Sequence, residues 1–202
     1  MKSALSQKEI LLFRLLLALV LMVIAAGLRA APHPWNFTPM GAMALFSGAI
    51  IRDRRLAFLF PLLTLLAGDV FLGFHKLTLI VYASFLLSVL IGRLLRHRRT
   101  VPRLAGATFL GSVQFFLITN FGVWWLLNSF PKSPAGLAAC YLAGLPLFWN
   151  TLAGDAVYVA FLFLSCALAE GIFPALREPA PAFSKLRWPG ERPGEKPGDE
   201  QG

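Results

Sequence analysis

Long apolar runs are the feature that most constrains the fold of this chain. Of its 202 residues, 57% are hydrophobic and only 14% are charged, and the mean hydropathy is +0.67. A transmembrane helix needs about 20 mostly apolar residues. Six stretches reach or approach that length, at about residues 10–28, 36–51, 56–73, 77–95, 104–127 and within 137–173. We therefore predict an all-α integral membrane protein with about six transmembrane helices.

Two of these runs and the end of the chain depart from a simple span. The run at 36–51 is short, so we expect a tilted or partly re-entrant segment. The run within 137–173 exceeds one span, and a short outer helix that restarts near Pro146 would explain its length. From Pro174 onward the chain is rich in proline, glycine and both charges, a composition typical of disorder. The predicted domains are a transmembrane domain at 1–173 and a disordered cytoplasmic tail at 174–202.

The basic residues indicate the topology. If the N-terminus is cytoplasmic and the chain crosses six times, only Arg29, Lys76 and Lys132 of the 19 lysines and arginines lie outside. Cytoplasmic loops of membrane proteins carry such an excess. The formal net charge of +9 is then a topology signal, and we expect no nucleic-acid partner. The first apolar run is longer than the 7–15-residue core of a signal peptide, so we predict an uncleaved helix.

One four-residue motif, Leu-Ala-Gly-Asp, occurs twice, at residues 66–69 and 152–155. The predicted topology places the two copies in antiparallel helices, an arrangement that inverted repeats produce in transporters. Asp69 would lie near the outer interface, within reach of water. Asp155 would lie about 15 Å deep, where a carboxyl group must be protonated, hydrogen-bonded to groups such as Asn120, or paired with a cationic ligand. Ionisable residues inside a membrane are costly and usually functional.

Other polar residues fall in the same outer half of the predicted helices. Thr151, Asp155 and Tyr158 are spaced so that they share one helix face. Either these residues form interhelical hydrogen bonds beside an interfacial aromatic belt, or they line a solute pocket open to the outside. We favour the pocket, because amides and acids have no reason to prefer one leaflet. The candidate substrate-binding residues are Asn36, Asp69, Tyr82, Asn120, Trp124, Asn150, Thr151, Asp155 and Tyr158.

A smooth face of small residues marks the second run. Gly41, Ala44 and Gly48 recur at helical spacing, and such a face lets another helix approach closely. Two interpretations stay open, namely packing within this chain and docking of a partner membrane subunit.

The runs PHPWNFTPMGAMALFSGA (32–49), LLAGD (65–69), FFLITNFGVWW (115–125) and GLPLFWNTLAGD (144–155) resemble an uncharacterised bacterial membrane-protein family of putative transport proteins. The likeness covers roughly residues 10–172. More distantly, the pattern is similar to the substrate-binding S components of energy-coupling-factor vitamin importers. Two features depart from those proteins, since the small-residue motif lies in the second span and the sixth segment is over-long.

The resemblance implies a multi-pass protein of the bacterial cytoplasmic (inner) membrane. It further implies an outward-facing pocket for a small vitamin- or cofactor-like solute, and a role as the substrate-binding subunit of an importer. Its partners would be the lipid bilayer, the solute, and a coupling membrane subunit with ATPases. A structural or assembly protein is the alternative. A membrane-embedded enzyme is less favoured, because no catalytic motif accompanies His33, His75 and the two aspartates. We expect no cofactor and no metal site, and Cys140 and Cys166 are expected to be small packing residues.

Overall fold

The computed structural model describes residues 7–28 and 34–173. In these ranges the regular secondary structure is all α-helix, with no β-strand. The helices are α1 (Gln7–Leu28), α2 (Met40–Ile50), α3 (Arg54–Leu72), α4 (Thr78–Leu94), α5 (Val101–Leu126) and α6 (Pro134–Ile172). Each predicted apolar run overlaps one of them, so the all-α class is confirmed. The predicted cytoplasmic tail and His33 lie outside the described residues.

Local sequence signals set several helix ends. The Asp53 carboxylate accepts a hydrogen bond from the Leu56 amide at 2.9 Å and caps α3. The Ser133 hydroxyl accepts one from the Gly136 amide at 3.2 Å and caps α6. Short polar side chains favour this position because they satisfy amides that have no partner within the helix. Gly73, with φ of 91°, ends α3 in a conformation that side chains disfavour.

Helix α2 is the core of the molecule. It has 11 residues, ten of them buried, and Met43, Leu45 and Phe46 are almost completely enclosed. Helices α3, α4, α5 and α6 pack around it, and α1 contacts α6 and α2. A helix that is apolar on all sides belongs in an interior. At about 16 Å, α2 is too short to cross a bilayer alone, in agreement with the shortness of the second run.

The small residues of α2 provide close contact with α4. A Cβ atom on Gly48 would collide with the Val89 carbonyl oxygen, and one on Gly92 would collide with the carbonyl oxygen of Leu45. The two backbones therefore meet at a reciprocal pair of glycines. Ala44 is fully buried beside them. The face of Gly41, Ala44 and Gly48 is therefore covered by helices of the same chain, which favours packing within the chain, the first of the two open interpretations.

The last helix differs from its prediction. It runs continuously for 39 residues, with Pro146 inside, whereas we expected a break and restart there. Its length is about 58 Å, nearly twice the thickness of a bilayer core. Pro146 removes one backbone hydrogen bond of α6 but does not end the helix, because the residues on either side of it keep their own backbone hydrogen bonds.

Two of the described helices, α5 and α6, are long and apolar enough to cross a membrane. Less than half of each such apolar window is buried within the protein. Large apolar side chains such as Phe109, Leu110, Leu164 and Leu168 face outward instead.

Candidate functional site

Asp155 is the most deeply buried carboxylate of the described residues, with 3% of its surface exposed. The Ser112 hydroxyl of α5 donates a hydrogen bond to its Oδ2 at 2.7 Å, and the backbone amide of Ala42 donates another. Within the described ranges no lysine or arginine forms an ion pair with it. A buried carboxyl group with only neutral donors is costly to keep charged.

The N-terminus of α2 meets this carboxylate. Pro39 occupies the N-cap position and offers no side-chain oxygen to the first amides of the helix. Asp155 takes the place of a cap residue by reaching across from α6 to the Ala42 amide, where the positive end of the helix dipole favours an anion. Gly41 makes the approach possible, because a Cβ atom there would collide with both carboxylate oxygens.

A small cavity of about 50 Å³, with both polar and apolar walls, adjoins the carboxylate. Its polar walls are the side chains of Asn36, Thr38, Ser88, Thr151 and Asp155, and its other walls include Gly41, Gly111, Phe85 and Phe115. A cavity of this size suits particles as small as water and not a large organic ligand. Oxygen atoms dominate the polar lining, which is the chemistry that hard cations prefer.

The segment at 34–39 forms one side of the cavity. Asn36 has φ of 63°, a left-handed conformation uncommon for residues other than glycine. The Asn150 side chain donates to the Trp35 carbonyl oxygen at 3.0 Å, and the Phe37 and Tyr158 rings lie 5.9 Å apart. Gly154 allows the backbone of Phe37 and Thr38 to lie against α6. Gly154, the glycine of the second Leu-Ala-Gly-Asp motif, thus lets the segment at 34–39 approach α6 beside Asp155.

The structure brings together part of the predicted pocket. Asn36, Thr151 and Asp155 line the cavity, while Tyr158 and Asn150 hold the adjoining segment. Asp69 is elsewhere, between α3 and α4, where the Tyr82 hydroxyl donates to its Oδ2 at 2.9 Å. The two Leu-Ala-Gly-Asp motifs therefore have different partners and different degrees of burial.

Two other predicted site residues have local structural contacts. The Asn120 side chain donates to the Phe116 carbonyl oxygen at 2.9 Å and packs against Gly144. Asn120, named above as one possible partner of Asp155, thus bonds within its own helix, and Ser112 is the side chain that donates to Asp155. Trp124 donates to the Pro131 carbonyl oxygen at 2.9 Å, so it supports the turn that precedes α6.

Sequence reasoning missed several polar residues of this region. Ser112 and Ser88 lie in apolar runs. The Ser88 hydroxyl donates to the carbonyl oxygen four residues earlier, and the Ser112 hydroxyl lies within 3.1 Å of the corresponding Thr108 carbonyl oxygen as an alternative acceptor to Asp155. Such internal bonding is common for serine in helices and carries no functional signal. Gln114 donates from Nε2 to the Ser88 hydroxyl at 2.9 Å and extends the network from α5 to α4. A polar residue inside an apolar span was the one signal available for each of them.

In the described part of the chain, histidine, cysteine, aspartate and glutamate do not form any group of three that could hold a metal ion. Cys140 and Cys166 are both buried and free. The site therefore offers one carboxylate surrounded by neutral hydroxyl, amide and backbone groups. This arrangement suits the binding of a single small charge.

Comparison with known proteins gives one match. The model of a family of unknown function, DUF6580, matches residues 10–176. No curated protein and no solved structure matches the chain.

Proposed function

We propose that this chain, which belongs to the DUF6580 family of unknown function, is a multi-pass membrane transport protein that binds its solute at Asp155. One observation carries the proposal: a buried carboxylate lines a small cavity together with several hydroxyl and amide side chains, and no basic residue of the described chain neutralises it. Ionisable residues at membrane depth commonly mark solute or proton pathways.

The outer surface of the helix bundle supports the membrane placement. Apolar side chains of α1, α5 and α6 face away from the protein, and a soluble monomer rarely exposes so much contiguous apolar surface. The segment at 34–39, which has no regular helix, lies against α6 and α2. Irregular backbone is tolerated at membrane depth where it is buried in protein. Segment 34–39 and α2 would then cross the membrane together.

The volume of the cavity limits the size of the solute that we propose. Sites for vitamin-sized ligands occupy about 300–1,000 Å³, whereas the cavity at Asp155 holds about 50 Å³. A monovalent inorganic cation or a proton fits this volume and the single negative charge. We propose this solute class in place of the vitamin- or cofactor-like solute expected from the sequence.

The position of α2 bears on whether a coupling subunit is needed for transport. The resemblance to S components pointed to a coupling subunit docked on Gly41, Ala44 and Gly48, but those residues pack inside the chain. We therefore propose that cation movement through this protein does not require docking on that face.

Reconstitution tests the proposal. The full chain is placed in liposomes with imposed gradients of Na⁺, K⁺ or protons, and ion entry is followed with dyes trapped inside. We expect entry of at least one of these ions, reduced tenfold or more by Asp155→Asn. The matched control is Asp69→Asn, which removes the carboxylate of the other motif and is expected to reduce entry less than twofold. Absence of entry for all three ions, or equal effects of the two substitutions, would contradict the proposal.

A structural role is the second candidate, and the hydrogen bond from the Ala42 amide favours it. In that case Asp155 serves only to cap α2, and the chain stabilises a membrane assembly without moving any solute. An asparagine retains a side-chain oxygen that accepts from the amide. A purely structural site therefore tolerates Asp155→Asn in every assay, whereas a cation site does not.

A further inference from the structure

A groove runs along the outer surface between α5 and α6, away from the cavity at Asp155. It encloses about 700 Å³. Its walls are apolar, with Leu104 and Phe109 on α5 and Val159, Phe163 and Leu164 on α6, while Ala156 and Ala160 keep part of its floor low. A volume of this size is typical of small-ligand sites.

One end of the groove is charged. Arg99 and Glu170 line it, and the Arg99 Nη1 atom lies 3.3 Å from Glu170 Oε1. The same oxygen lies 3.8 Å from the Arg14 Nη2 atom. Two guanidinium groups thus share one carboxylate, so this cluster carries a net positive charge. Arg96, Arg98 and Arg103 also lie within four residues of Arg99 in the sequence.

We propose that this groove binds an anionic phospholipid, with one acyl chain between α5 and α6 and the phosphate beside Arg99. The α5 wall from Val101 to Phe109 is about 12 Å long. That length is close to one leaflet, which is half of a bilayer core of about 30 Å. The predicted topology places Arg99 on the cytoplasmic side, where anionic lipids and basic residues attract one another.

The charge distribution favours a lipid over a second copy of the chain. In a parallel dimer formed through this groove, the net positive ends of the two copies would lie side by side and repel each other. A phosphate would instead be attracted to the same end. The inference rests on the membrane placement in the proposed function but not on cation binding at Asp155, so the two can fail separately.

The test uses the full chain, purified in an uncharged detergent and depleted of lipid. Three probes are added: dioleoyl phosphatidylglycerol, dioleoyl phosphatidylcholine and inorganic phosphate. We expect phosphatidylglycerol to raise the Tm by roughly 5–10 °C at saturation, phosphatidylcholine to raise it less, and phosphate alone to leave it unchanged. Native mass spectrometry then counts the bound lipid.

Two pairs of variants locate the lipid. Ala160→Trp fills the groove and should abolish the shift, whereas Val157→Trp, on the same helix at a position 54% exposed and outside the groove lining, should preserve it. Arg99→Gln should remove the preference for phosphatidylglycerol over phosphatidylcholine, while Arg98→Gln should retain it.

The proposal is overturned if Ala160→Trp binds lipid as the unchanged chain does, or if both lipids act equally and Arg99→Gln has no effect. It is also overturned if Ala160→Trp converts a dimer into a monomer while lipid has no effect, because the groove is then an interface between copies. If the protein transports cations but gives any of these results, the lipid-site proposal fails and the proposed cation transport stands.

Discussion

At the scale of single residues, two aspartates in identical tetrapeptides have different surroundings. Asp155 lies among α2, α5 and α6, with Ser112 and the Ala42 amide as donors. Asp69 is only partly buried and has the Tyr82 hydroxyl as its partner. Gly154 lies against the backbone of Phe37 and Thr38, whereas Leu66 and Ala67 of the first motif are exposed. The surroundings of each acid therefore depend on what the neighbouring helices bring to it.

The first prediction separates the capping role of Asp155 from its charge. Asp155→Ala should destabilise the protein by about 2 kcal/mol, because the α2 amide and the Ser112 hydroxyl both lose an acceptor. Asp155→Asn should cost less than half as much, since one acceptor oxygen remains. Thermal unfolding in detergent measures both. Equal losses for the two variants would mean that the negative charge itself stabilises the fold.

The second prediction concerns Asp69. Asp69→Asn should lower the free energy of unfolding by less than about 1 kcal/mol, because a partly exposed hydrogen bond contributes little. Tyr82→Phe removes the other partner and should cost a similar amount. A double-mutant cycle between the two positions measures their coupling. A coupling well above 1 kcal/mol would show that this pair, and not only Asp155, is a buried polar site.

At the scale of elements, α2 and α4 pack closely because each has a glycine where the two helices meet. Gly48 and Gly92 let each backbone touch the other, and the Ser47 hydroxyl ties α2 to α3 through the Ala57 carbonyl oxygen at 2.7 Å. Close packing of this kind leaves no room for an added methyl group. The small-residue face therefore has an internal partner, and its presence in the sequence alone does not distinguish that partner from another protein.

The third prediction tests this contact with matched glycines. Gly48→Ala should destabilise the protein by about 2 kcal/mol, because the new Cβ collides with the backbone of α4. Gly106→Ala, in α5, meets nothing within 4 Å and should be neutral or stabilising by up to about 1 kcal/mol. Thermal unfolding of the two variants side by side gives the comparison. If Gly48→Ala unfolds like Gly106→Ala, the helices are not in backbone contact.

The fourth prediction addresses the charge cluster that links α1, α6 and Arg99, which lies just before the N-cap of α5. Glu170→Gln should lower the free energy of unfolding by about 3 kcal/mol, because Arg14 and Arg99 then face each other without the carboxylate between them. Adding Arg14→Met should recover part of the loss by removing the repulsion. If the double variant is less stable than Glu170→Gln alone, Arg14 contributes through contacts other than this ion pair.

At the scale of the whole molecule, the short buried helix α2 is surrounded by longer helices. Apolar residues lie both in the interior of the helix bundle and on its outer surface. This distribution is expected if lipid replaces water around the proposed membrane domain. The sequence distinguishes the two sides of that domain by the distribution of arginine and lysine.

The fifth prediction is that both chain termini are cytoplasmic. Reporters active only in the cytoplasm or only outside it are fused to the C-terminus and inserted in the loop at 128–133, between α5 and α6. We expect cytoplasmic activity from the C-terminus and external activity from the loop, because all but three basic residues lie on the predicted inner side. An external signal from the C-terminus would place the cavity at Asp155 in the opposite leaflet.

The apolar runs by themselves determined the helices and their order, because any run of that length must satisfy its backbone hydrogen bonds internally when water is excluded. They also indicated that the second run is too short for a span. They did not determine whether α6 continues through Pro146, because a proline removes only one hydrogen bond and the helix on both sides decides the outcome.

Only the tertiary structure decided which polar residues meet. Asp155, Ser112 and the Ala42 amide come from three helices, and no spacing within one helix relates them. The tertiary structure likewise placed Gly41 against the carboxylate and Gly48 against α4, because which face of α2 meets which neighbour depends on the packing of all the helices around it. Periodicity relates residues along one helix, whereas a site built between helices depends on how their faces fit together.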